Sequence, residues 1–290
     1  MRDTVTMQPS PAATQAIEAY RVPDEPFYLP IGDEIPLFEA AWRERIPVLL
    51  KGPTGCGKTR FVEYMSWRLG QERHDGERGA MPLVTISCHE DLTATDLVGR
   101  YLLSGNGTEW IDGPLTRAVK GGGLCYLDEV VEARKDTIVV IHSLTDHRRL
   151  LPIEKKGELI RAHPDFLLVV SYNPGYQSTI KDLKHSTRQR FLSIEFDYPA
   201  QALEQRIIAR EAGVESATAD ALALVGMQIR HLDAQNLLEG PGTRLLIYAG
   251  RMITQGVAPR RACDVAIVQA MTDDPLLAKG IRQVIEAVFP

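Results

Sequence analysis

Residues 46–60 read IPVLLKGPTGCGKTR. The apolar run IPVLL has the look of a buried strand, and the residues after it place Gly52, Gly57, Lys58 and Thr59 at the spacing G-x-x-x-x-G-K-T. That is the pattern of a phosphate-binding loop, and its mechanism needs those residue types. Gly52, Gly55 and Gly57 let the backbone turn tightly and bring its N–H groups against phosphate oxygens. The stretch TRFVEYMSWRL reads as a helix whose positive N-terminal end faces the same anion. Lys58 is then placed to reach the β- and γ-phosphates, and the Thr59 hydroxyl to ligate Mg²⁺. Gly52, Pro53, Thr54, Gly55, Cys56, Gly57, Lys58 and Thr59 are the candidate nucleotide contacts. The bland alternative, a glycine turn that happens to precede a lysine, is opposed by the strand before it and the helix after it.

Working outward from this loop, LVTISC (83–88), GGLCYLDE (122–129), FLLVVSYNPG (166–175) and FLSIEFDYP (191–199) are further strand candidates. FEAAWRERI and RKDTIVVIHSLTDHRR read as helices. Apolar strands alternating with helices predict a three-layer α/β core with a mostly parallel sheet. After Tyr198-Pro199 the strand signal stops. ALEQRIIAREAG, ADALALVGMQIRHLD, TRLLIYAGRMITQG and PRRACDVAIVQAM carry helical periodicity instead. The expected organisation is a loose N-terminal arm over 1–25, a nucleotide-binding core over 26–199 and a C-terminal helical lid over 200–290. Two stretches read as hairpins inserted in the core: 99–115, with SGNG as its turn, and 148–165, with EKKG as its turn. QERHDGERGAMP (71–82) reads as a solvated loop.

The chain of 290 residues carries a net charge of −5, with 44% hydrophobic and 24% charged residues. This is ordinary for a soluble globular protein, and it disfavours a broad basic field for nucleic acid. Cys56, Cys88, Cys125 and Cys263 show no CxxC spacing and read as reduced thiols, not a disulfide frame or a zinc site. Oxidation of Cys56 would block nucleotide, although a small residue tolerated in the loop is the simpler reading. The polar start has no apolar leader and no apolar stretch is long enough for a bilayer, so a cytoplasmic protein without membrane contact is expected.

Four further stretches carry candidate chemistry. LCYLDE ends a strand on Asp128, a candidate for the Mg²⁺ shell, and Glu129, a candidate general base for the attacking water. Asn173, in VVSYNPG, ends another strand and could hydrogen-bond the γ-phosphate or the lytic water; a turn asparagine before proline is its competitor. HSTRQRF holds Arg188 and Arg190, either of which could act as an arginine finger or lie as a surface cation. Arg244, in GPGTRLL, sits at a predicted helix N-terminus, where a cation is misplaced unless it meets an anion.

The order of these motifs resembles the AAA+ ATPases: Walker A at Gly52–Thr59, Walker B at Leu124–Glu129, sensor 1 at Asn173, the finger at Arg188 or Arg190, and sensor 2 at Arg244. The hairpins look like the helix-2 insert and pre-sensor-1 hairpin of the MoxR branch. More narrowly, CHEDLTATDLVGRYLL, WIDGPLTRAV, CYLDEVVEAR, LPIEKKGEL and SYNPGYQS…LKHSTRQRF are similar to the CbbQ/NorQ/NirQ group, nearest to its CbbQ branch. The resemblance is dense from residue 28 to about 215 and looser in the helical tail.

It implies Mg²⁺-dependent ATP hydrolysis in a homo-hexameric ring with ATP between subunits. Arg190 would be the finger acting in trans, with Arg188 the alternative. For the CbbQ branch it also implies an adaptor of the CbbO kind, carrying a von Willebrand A domain, and Rubisco as substrate, from which tight-binding sugar phosphates are released. The alternatives are nitric oxide reductase maturation of the NorQ/NirQ type and a P-loop small-molecule kinase. One departure is the 71–82 loop, longer than the group leads one to expect.

Overall fold

The structure, a computed structural model, describes residues 21–72, 81–104, 107–174, 183–232 and 239–290. Most of the expected N-terminal arm, most of the 71–82 loop, the 105–106 tip of the first hairpin and part of SYNPGYQS lie outside the described residues.

The core begins with α1 (Glu34–Arg43), β1 (Val48–Lys51) and α2 (Lys58–Leu69). β2 (Leu83–Ser87), α3 (Ala94–Val98), β3 (Gly99–Ser104), β4 (Gly107–Asp112), α4 (Pro114–Gly121) and β5 (Gly123–Asp128) follow. Next come α5 (Lys135–His142), β6 (Leu150–Ile153), β7 (Glu158–Arg161), β8 (Phe166–Tyr172), α6 (His185–Arg188) and β9 (Leu192–Glu195). The main sheet has the order β2-β5-β8-β1-β9, and every described pairing in it is parallel.

Alternation along β1 shows why the sheet is covered on both faces. Val48 and Leu50 point into a core cluster with Phe38 and Trp42 of α1 and Phe61, Val62 and Met65 of α2. Leu49 points the other way, into a second cluster with Leu115 and Val119 of α4 and Ile141 of α5. A parallel sheet needs both faces buried, and the near-continuous apolar runs of β1, β5 and β8 supply both. With Leu49 at 1% and Leu50 at 0% exposure, truncating either to alanine costs about 2–5 kcal/mol.

The strands β3 and β4 pair antiparallel, with Tyr101 opposite Trp110; their rings meet edge-on at 5.0 Å, a stabilising cross-strand pair on an otherwise exposed ribbon. Leu103, near the tip, is 92% exposed. β6 and β7 pair antiparallel around a 3₁₀ turn at Glu154–Lys156, closed by Gly157 at φ 66°. α5 is shorter than the helical pattern suggested: the chain turns at Ser143, and the Asp146 side chain accepts from the Arg148 backbone N–H, tying off a turn instead of another helical one.

The C-terminal helices are α7 (Gln201–Ala212), α8 (Ser216–Leu232), α9 (Thr243–Thr254), α10 (Pro259–Cys263) and α11 (Pro275–Val288). They share a separate core that includes Ile208, Leu222, Leu246, Ile267, Ile281 and Ile285. α10 runs on through a π-helical stretch, Asp264–Val268, to a last turn at Gln269–Met271. The helical periodicity of that segment gave no sign of the wider turn, which accompanies the burial of both Ile267 and Val268. α11 was not singled out by periodicity, though Asp274-Pro275 is a start signal: Asp274 caps the Leu276 and Leu277 amides at 2.7 and 3.2 Å. Among the described residues no helix is long and apolar enough to cross a membrane.

Candidate functional site

The loop 52–57 leaves the carboxyl end of β1 and enters α2 at Lys58. Its glycines serve different needs. Gly55 and Gly57 lie in the left-handed region, at φ 72° and 106°, which other residues enter at a cost. Gly52 is glycine for lack of room: a Cβ there would stand 2.3 Å from the Phe196 carbonyl oxygen. The result is a loop whose backbone passes directly into a helix N-terminus at the edge of a cavity of about 400 Å³.

Lys58 is only 7% exposed. Its ammonium donates to the Gly52 and Pro53 carbonyls at 2.8 and 2.7 Å and to Asn173 Oδ1 at 2.7 Å. Burial pulls its pKa below the ordinary lysine value, against the opposing pull of Cys56, Asp128 and Glu129. A buried cation of this kind is costly without anionic partners, which suits it to phosphate. Cys56 is buried beside it, and burial pushes its thiol pKa up, so it is a poor nucleophile.

Asp128 ends β5 and Asn173 follows β8, two neighbouring strands, so the sheet's own spacing brings them together. Asp128 Oδ1 accepts from Tyr126 Oη at 2.7 Å and from Ser171 Oγ at 2.5 Å. Ser171 in turn accepts from the Glu129 backbone N–H at 2.9 Å. One buried hydroxyl thus orients the Asp128 carboxylate and anchors the Glu129 backbone. Glu129 adopts φ 55°, a strained conformation for a non-glycine residue that tends to mark functional sites. Its pKa is raised, chiefly by burial and then by Asp128 and Glu132. Asn173 Nδ2 donates to Thr54 Oγ1 at 3.1 Å and Glu129 Oε1 at 3.4 Å. Lys58, Asn173, Glu129 and Asp128 therefore form one connected polar cluster. Thr59 lines the same cavity and its side chain meets Tyr126.

Arg244 is the second residue of α9 and also lines the cavity, from the side of the C-terminal helices. Arg188 and Arg190 do not line it. They lie at and just beyond the end of α6, where Arg190 is exposed and, after burial, helps hold the His142 pKa down.

The far end of the cavity is apolar. Tyr28, Leu29 and Ile31 approach from the segment before α1, Ile207 from α7 and Tyr248 from α9. Glu34 holds that segment: it is 2% exposed and accepts from Tyr28 Oη at 2.6 Å and from the Ile31 and Gly32 amides at 2.9 and 2.8 Å. No spacing pattern marks these residues in the sequence. A cavity with a cationic, acid-flanked end and an apolar end suits a nucleotide.

The profile of the AAA domain (dynein-related subfamily) matches residues 47–191, and that of the CbbQ/NirQ/NorQ C-terminal region matches 204–288. "Protein CbbQ" of Hydrogenophilus thermoluteolus is 57% identical over 270 residues, covering 93% of this chain and 97% of that protein. "Protein NorQ" of Paracoccus denitrificans is 53% identical over 266 residues, covering 92% and 95%. A mutant RuvB of Thermotoga maritima superimposes with a TM-score of 0.52 at 18% identity, over 88% of this chain and 70% of that one, a likeness of fold alone. The chain is an AAA+ ATPase that binds and hydrolyses nucleotide, and it belongs to the MoxR-type CbbQ/NirQ/NorQ group.

Proposed function

We propose that this ATPase, with an adaptor of the CbbO kind, remodels inhibited Rubisco so that tight-binding sugar phosphates leave. The observation that carries this is the 57% identity to a protein named CbbQ across 93% of the chain, together with the resemblance of its motifs to the CbbQ branch. The site is proposed to work in the cytoplasm, in a homo-hexameric ring, with each cleft completed by a neighbour. The position of Arg190, exposed and away from its own chain's cavity, supports a finger acting in trans.

In this reading the loop amides and Lys58 bind the β- and γ-phosphates. Glu129 takes a proton from the attacking water, with Asn173 fixing its carboxylate. Arg244 carries phosphate state to the lid. A neighbour's Arg190, with Arg188 the adjacent alternative, meets charge developing on the transferred group, an effect worth about 10³–10⁵ in rate elsewhere. Thr59 and Asp128 offer the hard oxygen donors that Mg²⁺ prefers, and they would hold the ion, which neutralises phosphate charge when bound. Hydrolysis can move a partner only if the ATP and ADP states differ in their affinity for it; the lid shifting on the core is the two-state element.

The test is reconstitution of this chain, the candidate adaptor, MgATP and Rubisco stalled by a sugar bisphosphate. Recovery of carboxylation is expected, and none with Glu129→Gln. The 53% identity to NorQ favours a second reading, nitric oxide reductase maturation. Failure with Rubisco, but ATP-dependent gain of reductase activity with a NorD-type adaptor, would select it.

A further inference from the structure

The loop that brings Arg244 to the cavity is held by a cluster that the residues above leave out. Glu204 on α7 is 0% exposed, and the Arg230 side chain on α8 is 14% exposed. They pair through two parallel hydrogen bonds, Nη1 to Oε2 at 2.8 Å and Nη2 to Oε1 at 2.7 Å. A sealed ion pair gives up the hydration of both charges and returns little net stability, so its presence asks for a role in specifying geometry.

The partners indicate which geometry. The Thr243 hydroxyl donates to Glu204 Oε1 at 2.6 Å. Arg230 donates to the Pro241 carbonyl from Nε at 3.0 Å and from Nη2 at 2.7 Å. Gly240 is pressed against the same side chain, where an added Cβ would stand 2.6 Å from Arg230 Cγ. Two side chains thus fix residues 240, 241 and 243, and Arg244 is the next residue along.

The cluster also reaches the phosphate loop. The Arg230 guanidinium lies 3.9 Å from the centroid of the Tyr198 ring. Tyr198 Oη donates to the Gly240 carbonyl at 3.2 Å and the Thr54 carbonyl at 3.4 Å. Glu239 accepts from the Thr54 amide at 2.5 Å. Gly242 packs on Gly55 so closely that a Cβ on Gly55 would stand 3.1 Å from Gly242 Cα.

We infer that Glu204 and Arg230 are positioning residues for hydrolysis: they brace residues 240–243 so that Arg244 is presented to the phosphate loop in one fixed geometry. The inference deepens the proposed function and rests on its reading of Arg244 as a nucleotide contact.

The experiment measures kcat and KM for MgATP on the full-length, assembled protein. Glu204→Gln keeps the side chain's shape but turns one acceptor into a donor facing Arg230. It should lower kcat about 10-fold, since ångström-scale misplacement can cost up to about 100-fold, and leave KM within about twofold. Residues acting as a unit are not additive, so Glu204→Gln combined with Arg244→Ala should be no slower than Arg244→Ala alone. Losses that multiply overturn the brace and leave the assignment of Arg244 standing. An Arg244→Ala variant with unchanged kcat and KM overturns both. Tyr198→Phe covers a Glu204→Gln protein that does not fold: it keeps the ring under Arg230 and removes only the hydroxyl contacts. A loss of kcat of about threefold, absent in the Arg244→Ala background, supports the coupling; the same loss in both backgrounds, or no loss in either, overturns it.

Discussion

The cleft and the end of α6 are two charged regions of one chain, built in opposite ways. In the cleft, Lys58, Asn173 and Glu129 are joined by hydrogen bonds, and Ser171 ties Glu129 to Asp128. Lys58 follows β1, Asn173 follows β8 and the two acids come at the end of β5, and each is oriented by its neighbours. At the end of α6, Arg190 is exposed, does not line the cleft, and helps hold the His142 pKa down. In the proposed reading, an assembled cleft and an outlying cation suit a reaction shared between copies of the chain. A P-loop kinase working alone would have no use for that separation.

The sharpest way to break this contrast is Arg190→Ala. In the trans reading it should cut hydrolysis by about 10³ with ATP binding retained, and mixing with Glu129→Gln subunits should restore part of the activity. Mixed assemblies with no recovery would move the role to Arg188 or into the same chain. Glu129→Gln comes next. Loss of a general base costs about 10²–10⁴, so turnover should nearly vanish while a fluorescent ATP analogue still binds; wild-type turnover would remove Glu129 from the chemistry.

Lys58→Ala should weaken ATP binding about 10- to 100-fold, the worth of one or two charge-assisted hydrogen bonds. Titration calorimetry giving wild-type affinity would contradict the loop assignment. Ser171→Ala probes how far the cleft depends on internal orientation. It should slow hydrolysis by about 10-fold, as removal of outer partners does at metal sites, and an unchanged rate would leave Ser171 a packing residue.

The smallest effect is in pH. In the proposed reading Glu129 acts as a carboxylate, and its pKa is raised by burial, Asp128 and Glu132, so activity present at neutral pH should fail on acidification sooner than for an ordinary carboxylate. Removing one negative neighbour with Glu132→Gln lowers that pKa. The acid limb of the rate profile should move to lower pH, and a shift the other way would show that another group sets the limb.

The sheet and the phosphate loop were legible because their signals are local. A glycine-rich octad after VLL and two acids ending a buried run need no distant partner to be read. The order of strands was not written anywhere in that way, and neither was the company a residue keeps. Ser171 reads as one more strand residue until β8 pairs with β5 and sets it beside Asp128. Glu204 and Arg230 read as a helical acid and base on separate elements, and only the packing of α7 on α8 makes them a buried pair. Tyr28 and Glu34 lie before the first strong strand, where spacing offers no rule. The π stretch at Asp264–Val268 escaped because a wider turn leaves the apolar periodicity nearly intact.

The ladder β5-β8-β1 works as a fixed ruler under the chemistry. Adjacent strands sit about 4.8 Å apart, so the gap between the acid-bearing strand and the strand feeding the loop is set by backbone pairing and not by side-chain choice. Natural variation therefore has little freedom to retune the hydrolytic floor without dismantling the sheet. It has ample freedom in whatever hangs off the ruler, above all the ribbon ending near Leu103 and the turn at Glu154–Gly157. Engines cut to one gauge could in this way be fitted to different loads.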